Sequence, residues 1–409
     1  MNRHRPRSFV VVVALLIGIV SSGMAQDWPQ WLGPNRDGKP SQFNAPEQWP
    51  AQLTQQWQAV VGAGDATPAV VGGMVYVFSR IGEEEVTTCL RLSDGSVVWQ
   101  DKYSAMAVQG PASSHPGPRS SPAVAEGKVV TLGVTGVASC LDAASGQVLW
   151  RKAPYLDAFP QFYTASSPLI TNGMAILQVG AEDNGGLVAL DLATGDEKWK
   201  WAGEGPQYAS PVRMALGDRE IVVALTSKSF IGVSAADGQL LWQLPFVPEG
   251  RAYNASTPIV SGDQVIISGA GRGTMAFRVA TDGGAVTATP LWTNTEVAVQ
   301  FNTPILKDGL LYGLSNAGKL FCLKADTGDT VWVDDNVRSR GFGAVVDAGT
   351  ALMALPDNGD LIVYGPGAEG FTLLATYKVA EGGTYAAPVL SGSSIITKDQ
   401  SAVTLWSLP

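Results

Sequence analysis

From residue 53 to the C-terminus, short apolar strands alternate with polar, glycine-marked turns, and no segment sustains a 3.6-residue apolar period over three turns. Five segments repeat one pattern, an apolar run followed by a glycine and, four residues on, a tryptophan: TTCLRLSDGSVVW, ASCLDAASGQVLW, LVALDLATGDEKW, FIGVSAADGQLLW and LFCLKADTGDTVW. Their glycines are Gly95, Gly146, Gly195, Gly238 and Gly328, placed where a hairpin turn asks for positive φ. A sixth copy, MAFRVATDGGAVTATPLW, carries a longer hairpin and ends at Trp292.

A second signature alternates with the first. Short Ser/Thr-Pro-apolar strands begin at Thr67, Ser121, Ser167, Ser210, Thr257 and Thr303, with APVL at Ala387 and a proline-free FGAVV at Phe342. Proline is tolerated at a strand's first residue because its missing N–H need not join the ladder. From Pro68 to Pro304 these prolines are spaced by 54, 46, 43, 47 and 46 residues, close to the period of about 40–50 residues of four-stranded propeller blades. The N-terminal strand LTQQWQAVV, with Trp57, lacks three preceding strands, while APVL, SIITKDQ and AVTLWSL at the other end lack a fourth. Joined, they complete an eighth blade and remove the open edges. The pattern predicts an all-β, eight-bladed β-propeller of four-stranded antiparallel blades. Tyr377 stands where the seventh blade's tryptophan is expected, and a seven-bladed ring is the alternative.

Composition adds the compartment. Arg3, Arg5 and Arg7 precede an apolar run from Phe9 to Val20, and Ser21 to Ala25 ends in small residues, the pattern of a cleaved export signal over residues 1–25. No cysteine lies near the cleavage point to carry a lipid, so the chain is expected to be periplasmic or secreted. The remainder divides into an arm, 26–52, and the propeller, 53–409. The whole chain has net charge −9; without the three leader arginines, 24 basic residues face 36 acidic ones, or −12. That balance argues against nucleic acid as a partner. Cys89, Cys140 and Cys322 each lie ten residues before a tryptophan, in a slot that holds Ala189 and Gly232 in other copies. A slot that accepts Ala, Gly or Cys is a tight buried strand position, so the reading is three free thiols rather than a disulfide.

The repeat resembles the tryptophan-docking motif of pyrroloquinoline-quinone (PQQ) proteins, roughly A-x-D-x-x-T-G-x-x-x-W, with LVALDLATGDEKW and SCLDAASGQVLW as close matches. The resemblance covers residues 53–409. It implies a structural docking role between blades for Trp57, Trp99, Trp150, Trp199, Trp242, Trp292 and Trp332. The arm DWPQWLGPNRDG also resembles the opening of secreted PQQ-like repeat proteins of planctomycete type, and reads as a loop packed on the ring's flank. The family has a branch of quinoprotein dehydrogenases and a branch of non-catalytic scaffolds that includes BamB.

The dehydrogenase branch implies PQQ polarised by Ca²⁺, held by carboxylate and amide oxygens, with an Asp as base. No adjacent cysteines and no clear Glu, Asn and Asp set in matching blades support it, and no catalytic or metal-ligating residue is assigned. AEDNGG (181–186) and PDNGD (356–360) read as hairpin turns. His115, the one histidine after the leader, has no triad partner visible in sequence. The segments approaching each Pro-marked strand gather His115, Arg119, Tyr163, Tyr208, Arg251, Tyr253, Asn254, Phe301, Asn302, Arg338, Arg340, Phe342 and Tyr385. Together these are expected to form a locally positive mouth suited to carboxylates or sugar-like hydroxyls. The connection from Asp101 to Arg119 is the expected partner-contacting loop or lid. The functional expectation is a monomeric, non-catalytic envelope scaffold for a partner protein or a small anionic or sugar-like ligand. The alternatives are an atypical PQQ-dependent dehydrogenase and a carbohydrate-binding surface protein.

Overall fold

The computed structural model describes residues 27–155 and 157–408, so the export-signal reading of residues 1–25 lies outside the described residues. Among the described residues the strands form eight four-stranded antiparallel sheets. Blades 1 to 7 run in chain order over residues 69–104, 123–152, 169–201, 212–245, 259–294, 305–333 and 343–378. Blade 8 takes its three inner strands from residues 389–407 and its outermost strand from Thr54–Val60. That closing strand pairs with Ala402–Ser407 from Thr54↔Ser407 to Val60↔Ala402. The eight-bladed ring and its latch between chain ends are as the sequence pattern predicts.

The core lies between blades rather than within them. One cluster joins Val130, Cys140 and Trp150 of blade 2 to Leu177 and Leu190 of blade 3. Another joins Phe230 and Trp242 of blade 4 to Phe277 and Val279 of blade 5. Each outer-strand tryptophan carries this packing to the rim. Trp57, Trp99, Trp150, Trp199 and Trp292 donate Nε1–H to Leu92, Ala143, Leu192, Ala235 and Ala325 of the next blade, at 2.8–3.1 Å. Their rings lie on the turn glycines: a Cβ built on Gly238, at φ +71°, would sit 2.5 Å from Trp199 Cε3. Trp332 reaches Gly367 O at 3.0 Å. Trp242 differs. Blade 5 has the longer hairpin without the docking turn, so the Trp242 Nε1–H is buried without a partner, and the ring packs edge-on against Phe230 instead. Tyr377 in blade 7 bonds Pro50 O at 2.8 Å, just ahead of the closing strand.

The small slot opposite the tryptophan has a direct cause. Cys89, Cys140 and Cys322 face Trp99, Trp150 and Trp332 in register, as Ala189 and Gly232 face Trp199 and Trp242. All three thiols are free and buried. Burial pushes Cys89 and Cys322 up to about 11 and Cys140 to about 12. The folded protein is therefore expected to resist a thiol-specific disulfide reagent at pH 8 and to yield three thiols on denaturation; rapid labelling of the native state would contradict this.

The Ser/Thr of the second signature forms an inner chain of hydrogen bonds. Thr67 N donates to Ser121 Oγ, Ser121 N to Ser167 Oγ and Ser167 N to Ser210 Oγ, at 2.9–3.0 Å. Thr257 N donates likewise to Thr303 Oγ1, and Ala387 N to Thr67 Oγ1 across the junction of blades 8 and 1. The hydroxyls of Thr67, Ser121, Ser167, Ser210 and Thr303 thus satisfy the backbone of the preceding blade, and Thr257 Oγ1 instead accepts from the Trp31 indole.

The arm corrects the flank expectation. Instead of lying on the ring's side, residues 27–44 cross the axis and touch, in all eight blades, the inner strand or the residues flanking it. Trp28 is fully buried and exchanges two backbone bonds with Val70, and Pro29 O accepts from Val124 N. Arg36 Nη1 donates to Pro211 O at 2.7 Å and Ser167 O at 3.3 Å, while Nη2 donates to Pro168 O. Trp31 Nε1 bonds Thr257 Oγ1 at 3.0 Å. Gly38 packs on Ile305, so closely that a Cβ would meet its Cδ1, and its carbonyl accepts from Asp347 N. Asn44 N reaches Gly392 O in blade 8. The flank reading failed because most of the arm's polar partners are backbone N–H and C=O groups, which no side-chain pattern reveals.

Candidate binding site at the propeller mouth

Above the arm lies a cavity of about 420 Å³, with Trp31 at its floor. Its wall obeys a simple register. The residue three positions before each inner-strand proline is Asp65, Arg119, Ala165, Tyr208, Ala255, Phe301 or Tyr385, and every one lines the cavity. Where that position is alanine, in blades 3 and 5, Phe162 and Tyr253 from the same approach segments fill the wall. Phe342 serves the proline-free blade 7.

The rings form a continuous collar. Phe162 meets Tyr253 edge-on at 5.4 Å and Tyr208 meets Tyr253 at 5.6 Å between centroids. Phe301 stacks on Phe342 at 4.3 Å, Phe342 meets Tyr385 at 5.6 Å, and Tyr385 meets the His115 imidazole at 4.6 Å. The collar is aromatic around blades 3 to 8. Its charged groups and its imidazole are confined to the sector of blades 1 and 2, where Asp65, His115 and Arg119 converge, while the neutral Ser167, Ser210, Thr257, Asn302 and Thr303 line it elsewhere.

In that sector His115 Nδ1 lies 2.7 Å from Asp65 Oδ2. An ionised carboxylate can only accept, so Nδ1 carries the proton, and in the neutral tautomer this leaves Nε2 as the acceptor. Arg119 is tied by Nη2 to His115 O at 2.9 Å and Ala112 O at 3.5 Å. Its Nη1 is buried without a hydrogen-bond partner. Burial pulls the Arg119 pKa down, and Asp65, Tyr208 and Tyr163 oppose that shift. Tyr208 OH accepts from Phe162 N at 3.1 Å, and burial raises its pKa.

Behind Asp65, Lys398 is fully buried, with Nζ donating to Gly64 O and, at 2.9 Å, to Asp399 O. Burial lowers its pKa to about 8, against the pull of Asp65 and Asp399. A lysine depressed in the folded state penalises folding while it is charged in both states, below pH 8. Between pH 8 and the unfolded value near 10.5 the unfolded chain binds the extra proton, so stability rises with pH. Relative to Lys398→Met, the wild-type protein is expected to gain about 3 kcal/mol across that window, read from urea midpoints; parallel pH profiles would refute the assignment.

Eight of the thirteen mouth residues expected from sequence line the cavity: His115, Arg119, Tyr208, Tyr253, Phe301, Asn302, Phe342 and Tyr385. The other five lie elsewhere. Tyr163 is buried beneath, its hydroxyl accepting from Gln109 N and its ring stacked on Phe159. Asn254 is fully buried, bonding Thr226 O and Phe246 O, with its Oδ1 accepting from Arg272. Arg338 pairs with Asp334 at 2.8 Å, and Arg251 and Arg340 are exposed outside the cavity. The locally positive mouth is thereby corrected: Arg119 is its sole permanent cation among the described residues, because the other arginines find acids or solvent. Asp65, Phe162 and Trp31 were missed, although the proline register marks Asp65. The long connection is also shorter than expected. Asp101 to Ser104 extend the outer strand of blade 1, with Asp101 bonded to Arg151, and the loop runs over 105–119 around a 3-10 turn at Gly110–Ala112. Both oxygen-rich segments connect strands as hairpins, and no cluster of three metal-ligating side chains occurs among the described residues.

A family profile described as the outer membrane protein assembly factor BamB matches residues 83–334. This chain belongs to the BamB family. The BamB of Burkholderia pseudomallei is 24% identical over 359 residues, spanning 85% of this chain and 86% of that protein. The Yersinia pestis BamB is 24% identical over 366 residues, 85% of this chain and 87% of that one. The crystal structure of BamB from Moraxella catarrhalis superposes with TM-score 0.65 at 17% identity, covering 87% of this chain and all of that one. A quinohemoprotein alcohol dehydrogenase from Pseudomonas putida superposes with TM-score 0.69 at 15% identity, covering 94% of this chain and 80% of that one. The BamB family and the dehydrogenases thus share this ring, and the side chains at the mouth have to distinguish their chemistry. No helix among the described residues is long and apolar enough to cross a membrane.

Proposed function

We propose that this chain is a non-catalytic binding scaffold of the cell envelope, periplasmic or secreted, acting in protein assembly as its BamB relatives are named for. The observation that carries this reading is how the polar groups of the mouth are spent. A calcium-bound quinone needs several free oxygen ligands beside it. Asp65 is the one carboxylate lining the cavity among the described residues, and His115 holds it. The Asn302 amide is used at both ends on Leu314, donating to O at 2.6 Å and accepting from N at 3.4 Å. These residues do not fit the PQQ–Ca²⁺ pair of the dehydrogenase branch.

The rest of the ring supports rigidity. Tryptophans, hydroxyls and arm all hold blades together, which suits a platform that presents loops without rearranging. The test has two arms. Full-length protein supplied with PQQ and Ca²⁺ should show no dye-linked oxidation of alcohols or sugars. Expressed in its native envelope, it should crosslink to outer-membrane assembly proteins, and shortening the 105–119 loop should weaken that yield. Stoichiometric quinone binding with substrate oxidation would overturn the proposal.

A further inference from the structure

The mouth cavity carries its charged groups and its imidazole on one side only, and that asymmetry specifies a ligand. Around blades 3 to 8 its wall is an aromatic collar interspersed with the neutral Ser167, Ser210, Thr257, Asn302 and Thr303, while blades 1 and 2 present one cation and one imidazole. The cation is Arg119, which lines the cavity and whose Nη1 is buried with no hydrogen-bond partner of its own. Its second nitrogen is anchored on His115 O, which fixes the guanidinium plane. The acceptor is Nε2 of His115 in the neutral tautomer that keeps Nδ1–H on Asp65. A ligand that satisfies both must offer an anionic oxygen to Arg119 and a hydroxyl hydrogen to His115. Its remainder must be flat and apolar to lie within the collar that Tyr253, Phe301, Phe342 and Tyr385 build. The volume of about 420 Å³ lies in the range of small-molecule sites.

We infer that the mouth of this propeller binds an aromatic hydroxycarboxylate, with the carboxylate on Arg119, the hydroxyl on His115 and the ring in the aromatic collar. The site needs no metal and performs no chemistry. Asp65 acts as a positioning residue that sets the imidazole tautomer. Trp31 brings the arm into the same site, so the segment that seals the axis also supplies the floor. The inference deepens the binding reading above and rests on it for treating the cavity as a ligand site. The two fail separately, because envelope crosslinking reads the loops and calorimetry reads the cavity.

The test is isothermal titration calorimetry of the full chain in chelator-treated buffer without quinone. The probes are mandelate, phenylacetate and mandelamide, which keep one ring and remove the hydroxyl or the charge in turn. Mandelate should bind tightest. Phenylacetate should be weaker by about 5-fold for one lost hydrogen bond, and mandelamide by about 10-fold or more for the lost charge-assisted one. Arg119→Gln should reduce mandelate binding to the mandelamide level. His115→Phe, which keeps a ring against Tyr385, should make mandelate and phenylacetate equal. Thermal melts of both variants establish that they fold, and the comparison among the three probes on wild-type protein stands without them. Equal binding of mandelate and mandelamide, or no heat from any of the three at about 10 mM, a concentration that would expose even weak sites, would overturn the inference. A hydroxyl preference that survives in His115→Phe would remove His115 from it.

Discussion

Replacing Trp199 with alanine is expected to cost the ring about 3–5 kcal/mol, the range for truncating a buried aromatic. Trp199 is 7% exposed and lies on Gly238 of the next blade, with Nε1–H donating to Ala235 O at 3.0 Å. Removing it opens a void between blades 3 and 4 and leaves the Ala235 carbonyl to find water. The loss should appear as a lowered urea midpoint at unchanged slope, the sign of a stability change rather than a change in folding cooperativity. Trp242 provides an internal control. Its Nε1–H has no partner, so Trp242→Phe gives up no hydrogen bond, whereas Trp199→Phe gives up one. The Trp199→Phe variant should therefore be the less stable by about 1 kcal/mol. Equal losses at the two sites would mean that the docking bond contributes nothing and that ring volume alone holds the blades.

How much of this could be read in advance depends on how far apart the interacting residues lie in the repeat. The blade count, the latch between chain ends and the Cys89, Cys140 and Cys322 slots follow from local period, and the structure has each of them. The hydroxyl before proline was visible as a signature without a reason; its reason is the backbone N–H of the preceding blade. The mouth was legible in part. Aromatic residues near the prolines were noticed by type, but register was the stronger guide, since the residue three before each proline faces the cavity even when it is Ala165 or Ala255. Read by register, Asp65 would have been placed opposite His115 from the start. Arg251, Arg338 and Arg340 misled because charge in a loop says nothing of which way the loop faces. The arm was illegible for a different reason. Its bonds to Val70, Val124, Ser167, Pro211 and Asp347 are made to or by backbone atoms, which every sequence offers at every position.

That arm gives the second large effect. Arg36 is 4% exposed and carries its charge to the axis, where the inner-strand carbonyls of blades 3 and 4 converge on one guanidinium. Burial lowers its pKa, so the carbonyls must repay the desolvation of the charge. Arg36→Met keeps much of the side-chain volume and removes every donor. The carbonyls of Ser167, Pro168 and Pro211 then face one another with no hydrogen, and hydrogen bonds to a charged group contribute about 1.5–3 kcal/mol each. Because the charge's own desolvation cost disappears with it, the net loss is expected to be about 3–5 kcal/mol. Arg36→Lys should recover only part of it, since a single ammonium lacks the fork that spans two blades. Urea midpoints give the energy, and limited proteolysis gives the location: cleavage within residues 27–50 should rise in Arg36→Met before any cut within the blades. Loss of the arm should also loosen the cavity, because Trp31 holds its floor through Thr257 of blade 5. A variant as stable as wild type, with the arm still protected, would mean that Trp28 and the backbone bridges seat the arm alone and that the buried charge is a passenger.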